Sequence, residues 1–395
     1  MRGGFAGLAA VRHLRRDFDV TLIDAKQYFE FLPGMVRPYS QPDLHQRLVL
    51  DYAAVCDKMK VTWIWGAAEK ITDKEVIVHL KNRTLGKFRN LPYDYCIVAT
   101  GCEHGSTLWA VSSEARTDPR WEPRCAAGRQ TQIQYEHDRL VRLDAEGGHV
   151  AVIGAGYVGV EFAAELRHYF PRLQISLVSR NVCCCPTMGK GARVYIQKYL
   201  DKHNISTFYG AKYVDSNSTQ FWRKLGQSTP TRVFRSIGMT PHCDFLPSDC
   251  LTDRGWVKCM PTLQVARAVE DTLVPFAKGN IFTIGNCADK VPGLDPLPKN
   301  SFPAEEMAAH CARNIRRMER GRKLKTFYWP WLSGVSATSL GPKDGVLLVN
   351  NRLPGSGFVA LRGRAVVWLK ELIRWSKVDE CKLGLWGTLL WHFVH

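Results

Sequence analysis

The chain has 395 residues, which is too long for one hydrophobic core and predicts two or three domains. A hydrophobic content of 45% with 23% charged residues is typical of a globular protein and excludes a disordered chain. The formal net charge of +17 is compatible with binding to phosphate-bearing ligands, anionic lipid or nucleic acid. It is equally compatible with a basic protein that has no polyanionic partner.

The chain opens on a glycine-rich segment, RGGFAG at residues 2–7, which has the form of a nucleotide-binding turn. A helix is predicted over residues 8–15 and a strand over residues 20–23. Asp24, which ends that strand, is placed to accept hydrogen bonds from a ribose. The alternative is that Asp24 only caps the next turn.

This first turn lacks two of its usual parts. No apolar strand precedes it, and Arg2 stands where the first glycine is wanted. Because a missing central strand leaves backbone groups unpaired in a parallel sheet, we expect an apolar strand ending in glycine to be encoded before Met1. If the native chain instead starts at Met1, binding at this turn is weakened.

A more complete nucleotide motif lies mid-chain, HVAVIGAGYVGVEFAAELRHYF at residues 149–170. Gly154 permits the tight turn, Gly156 lets the backbone approach a pyrophosphate, and Gly159 lets the helix pack closely on the strand. The predicted elements are a strand over 150–153, a helix over 160–169 and a return strand over 174–178. In this order they predict a dinucleotide-binding unit.

The residues after the return strand indicate which nicotinamide dinucleotide fits. Ser179 and Arg180 stand where an acid would bind the 2′-hydroxyl of NAD, so NADPH is expected to be accepted through Arg180. The alternative is that Arg180 is a solvated surface charge. On the helix, Glu161 is a candidate to orient the nicotinamide ribose or amide, and Glu165 is expected to be structural.

These motifs resemble those of the two-dinucleotide-fold flavoprotein oxidoreductases, also called the pyridine nucleotide-disulfide oxidoreductase superfamily. Three more segments extend the resemblance: LPYDYCIVATG at 91–101, RVFRSIGMTPHCDFL at 232–246 and GNIFTIGNCAD at 279–289. In the last one Asn286 replaces the usual aspartate, and an amide still hydrogen-bonds a ribityl hydroxyl but without charge assistance.

The resemblance implies an α/β fold with two Rossmann-like domains, a bound FAD and NAD(P)H as co-substrate. The implied units are an FAD-binding domain in two parts (1–110, without its first strand, and 272–330), an inserted NAD(P)-binding domain (145–245) and a C-terminal region (331–395). The implied flavin residues are Gly4, Gly7, Asp24, Thr100, Gly101 and Asn286. The implied nicotinamide residues are Gly154, Gly156, Gly159, Glu161, Arg180 and Gly238.

The branch of the superfamily follows from the cysteines and one helix. A redox-active C-x-x-x-x-C pair is excluded, because Cys56 is the only cysteine between Asp24 and Tyr93. The segment PLPKNSFPAEEMAAHCARNI (296–315) resembles the helix that abuts the flavin pyrimidine ring, and Lys299 is a candidate to stabilise the anionic reduced flavin. Type II NADH dehydrogenases carry paired glutamines on that helix, facing the quinone.

At the positions of those glutamines this sequence offers Phe302 and Glu306 or Met307. Lys299 and the segment LGPKDGV (340–346) favour the apoptosis-inducing-factor-like proteins that reduce membrane quinones and suppress ferroptosis. Thirteen cysteines without a disulfide framework indicate a reducing compartment, cytoplasmic or mitochondrial. Cys183, Cys184 and Cys185 are consecutive, so their side chains point apart and no metal site is predicted.

The C-terminal third carries a basic segment, ARNIRRMERGRKLK at 312–325, which is interpreted as a solvated face or as a surface for anionic lipid. An apolar stripe and four tryptophans then predict an interfacial helix, although no run of uncharged apolar residues is long enough to span a membrane. These residues are Val366, Val367, Leu369, Leu372, Ile373, Trp368, Trp375, Trp386 and Trp391. The alternative is that this face packs on the protein or forms a homodimer.

The favoured hypothesis is an oxidoreductase in which NAD(P)H reduces the flavin and the flavin reduces a quinone or similar small acceptor. The alternative is a degenerate flavoprotein that acts as a nucleotide-sensing or membrane-associated module. No nucleic-acid partner is expected, because no recognised nucleic-acid module accompanies the basic charge.

Overall fold

The computed structural model describes residues 3–81, 87–104, 125–214, 218–294, 299–328, 334–349 and 355–392. The helices are α1 (Phe5–Leu14), α2 (Tyr52–Met59), α3 (Ala126–Ala145), α4 (Tyr157–Tyr169), α5 (Lys190–Lys202), α6 (Ser218–Lys224), α7 (Ser301–Glu319), α8 (Arg364–Cys381) and α9 (Leu385–His392). The first strands are β1 (Thr21–Asp24), β2 (Tyr28–Glu30), β3 (Val49–Asp51), β4 (Thr62–Ile71), β5 (Glu75–Leu80), β6 (Phe88–Pro92), β7 (Cys96–Val98) and β8 (Cys102–His104).

The middle strands are β9 (His149–Ile153), β10 (Gln174–Ser179), β11 (Ser206–Tyr209), β12 (Arg232–Arg235) and β13 (Met239–Pro241). The remaining strands are β14 (Ala266–Val269), β15 (Thr272–Pro275), β16 (Ile281–Thr283), β17 (Ser336–Ser339), β18 (Gly345–Val349) and β19 (Phe358–Arg362). The helix and strand succession confirms the predicted α/β class.

The mid-chain nucleotide unit is a parallel sheet in the order β11-β10-β9-β12. Every residue of β9 is buried, as expected for a central parallel strand that is covered on both faces. α4 begins at Tyr157, three residues before the predicted start, because Gly156 is its N-cap. The strand-turn-helix order is the one predicted from residues 149–170.

The first nucleotide unit is divided. β1 pairs with β4 in the sheet β1-β4-β5-β6, whereas β7 pairs with β16 in a separate parallel pair. No strand among the described residues hydrogen-bonds to both β1 and β16. α1 packs instead on α7, and its small residues, Ala6, Ala9 and Ala10, lie in the core shared with that helix.

The C-terminal part contributes the antiparallel sheet β17-β18-β19 and the helix pair α8 and α9. Val366 and Val367 of α8 are buried, but Leu372, which the apolar stripe placed with them, is 51% exposed. Within the described ranges, no helix is long and apolar enough to cross a membrane. The large core cluster includes α1, β9 and β18, so the C-terminal part is packed onto both nucleotide units.

Candidate functional site

A cleft of ≈1740 Å³ lies between the two nucleotide units and is closed on one side by α8. Eleven of the thirteen predicted site residues line it: Gly4, Asp24, Thr100, Gly101, Gly154, Gly156, Glu161, Arg180, Gly238, Asn286 and Lys299. The other two, Gly7 and Gly159, are buried inside α1 and α4. Residues that the sequence separates by almost 300 positions therefore share one cavity.

The second turn has the geometry that its glycines predict. Gly154 has φ +111°, and a side chain there would also meet the carbonyl oxygen of Ser236. A Cβ on Gly159 would lie 1.8 Å from the carbonyl oxygen of Gly154, so only glycine permits this approach of helix and strand. A Cβ on Gly156 would meet no atom within 4 Å, because Gly156 faces the open cleft.

The first turn reaches the cleft at Gly4, the N-cap of α1, where a Cβ would also meet no atom within 4 Å. Asp24 is 1% exposed, and its carboxylate accepts hydrogen bonds from the backbone N–H groups of Gly3 and Lys26. Tyr52 donates its hydroxyl hydrogen to the carbonyl oxygen of Gly3. Asp24 thus both lines the cleft and fixes the start of α1, while Arg2 lies outside the described residues.

In the described part of the chain, three helices begin at this cleft without a side-chain cap: α1 at Gly4, α4 at Gly156 and α7 at Asn300. The first N–H groups of a helix have no partner within the helix, and its N-terminus carries about half a positive elementary charge. Three such ends directed at one cavity favour anionic ligands, and the turns at Gly4 and Gly156 suit a pyrophosphate.

Antiparallel pairing of β8 with β13 brings two glycine turns together. Gly101 precedes β8 with φ +65°, and Gly238 precedes β13 with φ +81°. A Cβ on either glycine would meet no atom within 4 Å, although the backbone conformation disfavours any other residue. Thr100 is 5% exposed and lines the same cleft. The segments 91–101 and 232–246, which both carry the family resemblance, are therefore neighbours at the cleft.

Lys299 and Asn286, which both line the cleft, are joined by a hydrogen bond. The Lys299 ammonium donates to the carbonyl oxygens of Asn286, at 3.1 Å, and Ala288, and it lies 4.0 Å from the ring centroid of Trp256. Burial lowers the pKa of Lys299. Lys299 is held beside the segment 279–289, and its contact with Trp256 had no sequence signal.

Glu161 is engaged by the C-terminal part of the chain. Its carboxylate accepts hydrogen bonds from Ser339, with the backbone N at 2.9 Å and the hydroxyl at 3.2 Å, and it pairs with the Lys370 ammonium. One turn further along α4, Glu165 pairs with Arg37 at 3.2 Å. Burial raises the pKa of Glu165, and Arg37 opposes that shift. The spacing of these acids gave no indication of partners on α8 or β17.

A different wall of the cleft combines apolar and charged side chains. Phe302 and Glu305 of α7 line it, whereas Glu306 and Met307, which the sequence comparison had offered as alternatives, are buried and are not among its lining residues. Of the residues at the positions of the paired glutamines, Phe302 lines the cleft, and the further lining residue of α7 is its neighbour in sequence, Glu305. The Lys377 ammonium lies 2.6 Å from the Glu305 carboxylate.

Arg180 lies directly after β10, exposed to solvent at the edge of the cleft. Arg180 is therefore both a solvated charge and a lining residue of the cavity, so its role toward NADPH stays a prediction. All thirteen cysteines are free, and no cluster of metal-ligating side chains occurs in the described part of the chain.

Comparison with known proteins gives concordant results. The model of the family Pyridine nucleotide-disulphide oxidoreductase matches residues 3–312. Ferroptosis suppressor protein 1 of Xenopus tropicalis is 23% identical over 396 residues, covering 96% of this chain and 94% of that protein. Type II NADH:quinone oxidoreductase of Staphylococcus saprophyticus is 21% identical over 398 residues, covering 94% and 92%.

Among solved structures, sulfide:quinone oxidoreductase from Aquifex aeolicus matches with a TM-score of 0.71 at 17% identity, covering 96% of this chain and 90% of that chain. This similarity shows a shared fold. Together with the family match, it confirms the predicted resemblance and the predicted cofactor set, FAD with NAD(P)H as co-substrate.

Proposed function

Because the chain belongs to the pyridine nucleotide-disulphide oxidoreductase family, we propose that it transfers electrons from NAD(P)H through FAD to a quinone-class acceptor. The observation that carries this proposal is the convergence of three uncapped helix N-termini, at Gly4, Gly156 and Asn300, on one cleft. Each first-turn backbone offers N–H donors to an anionic group. Two dinucleotides and a reduced flavin ring present three such groups.

The residues at the turns fit the two cofactors. Gly4 and Gly156 leave open space where a pyrophosphate approaches, and no described side chain caps the helix N–H groups at either turn. When bound, FAD supplies the hydride-accepting and electron-donating chemistry, and the protein supplies orientation and electrostatics. Asp24 would accept a hydrogen bond from the flavin-side ribose, and Asn286 would bond the ribityl chain.

The proposed acceptor site is the wall formed by Phe302, Glu305 and Ile373. Phe302 and Ile373 are half-buried apolar side chains, which suit a flat apolar ring. The Glu305–Lys377 pair beside them provides a carboxylate and an ammonium at the same wall. The similarity to a type II NADH:quinone oxidoreductase and to a sulfide:quinone oxidoreductase supports this acceptor class for the present chain.

The first test is the visible spectrum of the purified protein followed by half-reaction kinetics. We expect flavin absorption bands at about 380 and 450 nm. These bands should bleach on addition of NADH or NADPH and recover on addition of a soluble quinone. A colourless protein without NAD(P)H-driven quinone reduction would favour the alternative function, a non-catalytic nucleotide-sensing module.

A matched pair of variants on α8 tests the acceptor wall. Ile373→Ala should slow reoxidation by quinone about tenfold while leaving reduction by NAD(P)H unchanged, because Ile373 lines the cleft. Leu372→Ala is the control, since Leu372 is 51% exposed and is not among the lining residues. Equal effects of the two variants on reoxidation would contradict the proposed acceptor wall.

We also propose peripheral membrane association through α8 and α9. Trp368, Trp375 and Trp386 are 76%, 48% and 68% exposed, and Leu385 is 68% exposed beside them in the chain. Exposed indole rings suit the headgroup region of a membrane. Replacing the three tryptophans by serine should abolish co-sedimentation with vesicles of phosphatidylcholine and phosphatidylglycerol. Phe88→Ser, at a 62% exposed position on β6, should leave binding unchanged.

A further inference from the structure

Two cations lie side by side at the carboxyl edge of the second nucleotide sheet. Arg180 directly follows β10, and Lys212 follows β11, the neighbouring parallel strand. The backbone joins the two segments beyond the strands, since Ala211 N donates to Ser179 O and Gly210 N donates to Asn181 O, both at 3.0 Å. The short loops that carry Arg180 and Lys212 are therefore held together by hydrogen bonds on both sides of Arg180.

Both side chains are exposed, and both line the cleft. Neither makes an ion pair or a hydrogen bond with any residue in the described ranges. Arg235, a third cation at the cleft, ends β12, and β9 separates it from β10. Arg180 and Lys212 are thus two adjacent positive charges whose hydrogen-bond donors are directed to solvent or to a ligand.

Negative charge is scarce at this edge. Among the described residues of 150–241 that line the cleft, Glu161 is the one acidic residue. Its carboxylate accepts hydrogen bonds from Ser339 and Lys370. The residue that ends β10 is Ser179, whose hydroxyl oxygen accepts a hydrogen bond from the N–H of Asn181 at 3.1 Å. No described carboxylate therefore stands where one would repel a phosphate on the adenosine ribose.

The carboxyl end of the strand after a glycine-rich turn is where a bound dinucleotide places its adenosine ribose. NADH has a 2′-hydroxyl there, and NADPH has a phosphate with nearly two negative charges. We propose that Arg180 and Lys212 together form the 2′-phosphate site, so that the chain selects NADPH over NADH. This inference rests on the proposed function only in that a nicotinamide dinucleotide binds at the Gly154–Gly159 turn.

The two side chains divide the task by their chemistry. The planar guanidinium of Arg180 offers paired N–H donors that match two phosphate oxygens. The ammonium of Lys212 acts as a point charge on a flexible side chain, and it comes from the loop after β11. Loss of either cation should therefore weaken phosphate binding, and an Arg180→Lys change should be only a partial substitute.

The experiment measures binding of 2′,5′-ADP and 5′-AMP to the purified full chain with its flavin, by isothermal titration calorimetry. These two probes differ in the 2′-phosphate alone. The wild type should bind 2′,5′-ADP at least about tenfold more tightly than 5′-AMP, and Arg180→Ala and Lys212→Ala should each remove about tenfold of that preference. Affinity for 5′-AMP should remain unchanged.

Lys198→Ala is the matched control, because Lys198 is an exposed lysine on α5 that does not line the cleft. It should bind both probes as the wild type does. If Lys212→Ala behaves like Lys198→Ala, the two-cation site is wrong. If the wild type binds 2′,5′-ADP no better than 5′-AMP, the NADPH selection is wrong.

Steady-state assays then separate this inference from the proposed function. The ratio of kcat/KM for NADPH to that for NADH should fall about tenfold in each cation variant. Cation-dependent 2′,5′-ADP binding in a protein that does not reduce quinone would support the phosphate site and overturn the proposed enzyme. Quinone reduction by the wild type with a preference for NADH would support the proposed enzyme and overturn the phosphate site.

Discussion

The two glycine-rich turns of this molecule have similar sequences and different supports. The second turn leaves β9, which lies between β10 and β12 and is buried along its whole length. The first turn leads into α1. Among the described strands, β1 pairs with β4, whereas β16 pairs with β7 and also bonds the segment 263–265 on its other side. At the start of the first turn, Gly3 donates to the Asp24 carboxylate and accepts from the Tyr52 hydroxyl.

The described contacts of the two turns therefore differ in kind. A central strand holds the second turn through backbone ladders, whereas buried polar side chains and the packing of α1 on α7 hold the first. Side-chain contacts are lost one at a time when residues are substituted, and backbone ladders resist such changes. The first turn should accordingly be the more sensitive of the two to polar substitutions.

The largest expected effect breaks the second turn. Gly159→Ala would place a methyl group 1.8 Å from the Gly154 carbonyl oxygen, so the helix and strand must separate. We expect a loss of at least about 3 kcal/mol in the free energy of unfolding, measured with urea, and loss of NAD(P)H binding. Flavin absorbance should persist if the first turn is supported independently. Wild-type stability with normal coenzyme affinity would refute this account of the turn.

The next effect concerns the flavin side. Glu30 on β2 pairs with Arg129 of α3 at 3.1 Å, and both side chains are buried. Burial opposes ionisation of Glu30, but Arg129 and Lys26 outweigh it and hold the Glu30 pKa well below its usual value. Glu30→Gln should cost about 3 kcal/mol at pH 7, measured by denaturant titration, because Arg129 then lacks its counter-charge.

The pH dependence of Glu30 gives the control. A depressed folded-state pKa means that the stabilisation is present above the unfolded value of about 4.5 and is lost as the pH falls below it. Stability of the wild type should therefore decline below about pH 4.5, and the Gln variant should decline less steeply. Parallel acid profiles for the two proteins would show that the pair does not hold α3.

Equal changes at the two turns give a smaller and more specific effect. Gly4→Ala and Gly156→Ala both place a Cβ in open space, so each should alter the free energy of unfolding by less than about 0.5 kcal/mol. Each methyl group would contact only the cofactor bound at its own turn. It should weaken the binding of that cofactor about tenfold, or about 1.4 kcal/mol. Flavin retention after gel filtration and NAD(P)H titration would distinguish them. A reversed pattern would contradict the assignment of the two turns.

The smallest expected effect belongs to the second sheet. His149 at the start of β9 lies 2.8 Å from the Ser176 hydroxyl, and burial lowers its pKa. Its stabilisation is present above the unfolded value of about 6.5 and is lost as the pH falls, by at most about 1.4 kcal/mol per pH unit. His149→Gln should flatten the stability profile between about pH 5 and 7, measured by urea unfolding. An unchanged slope would show that His149 does not cause it.

The local sequence predicted the second nucleotide unit well, because the strand, the turn and the helix are adjacent in the chain and each has its own pattern. α3 was not identified, since its sequence is largely polar and few of its side chains are buried. The partners of Glu161 were also missed, because Lys370 lies more than 200 residues away and an ion pair leaves no periodic signal. The role of Trp256 beside Lys299 depends likewise on tertiary contact.

Helix α8 carries the counter-charges for both nucleotide units. Lys370 pairs with Glu161, Lys377 with Glu305, and Glu380 with Arg12 at 3.1 Å. These partners are buried or nearly so, and a buried charge without its partner costs about 3–5 kcal/mol.

During synthesis, α8 leaves the ribosome after the other elements that line the cleft, except α9 with Trp391. A nascent chain that ends before α8 lacks the ion-pair partners of Arg12, Glu161 and Glu305, so burial of these charges is unfavourable until α8 docks. Assembly of the charged cleft is therefore delayed until α8 has been made, although the second nucleotide sheet can form earlier.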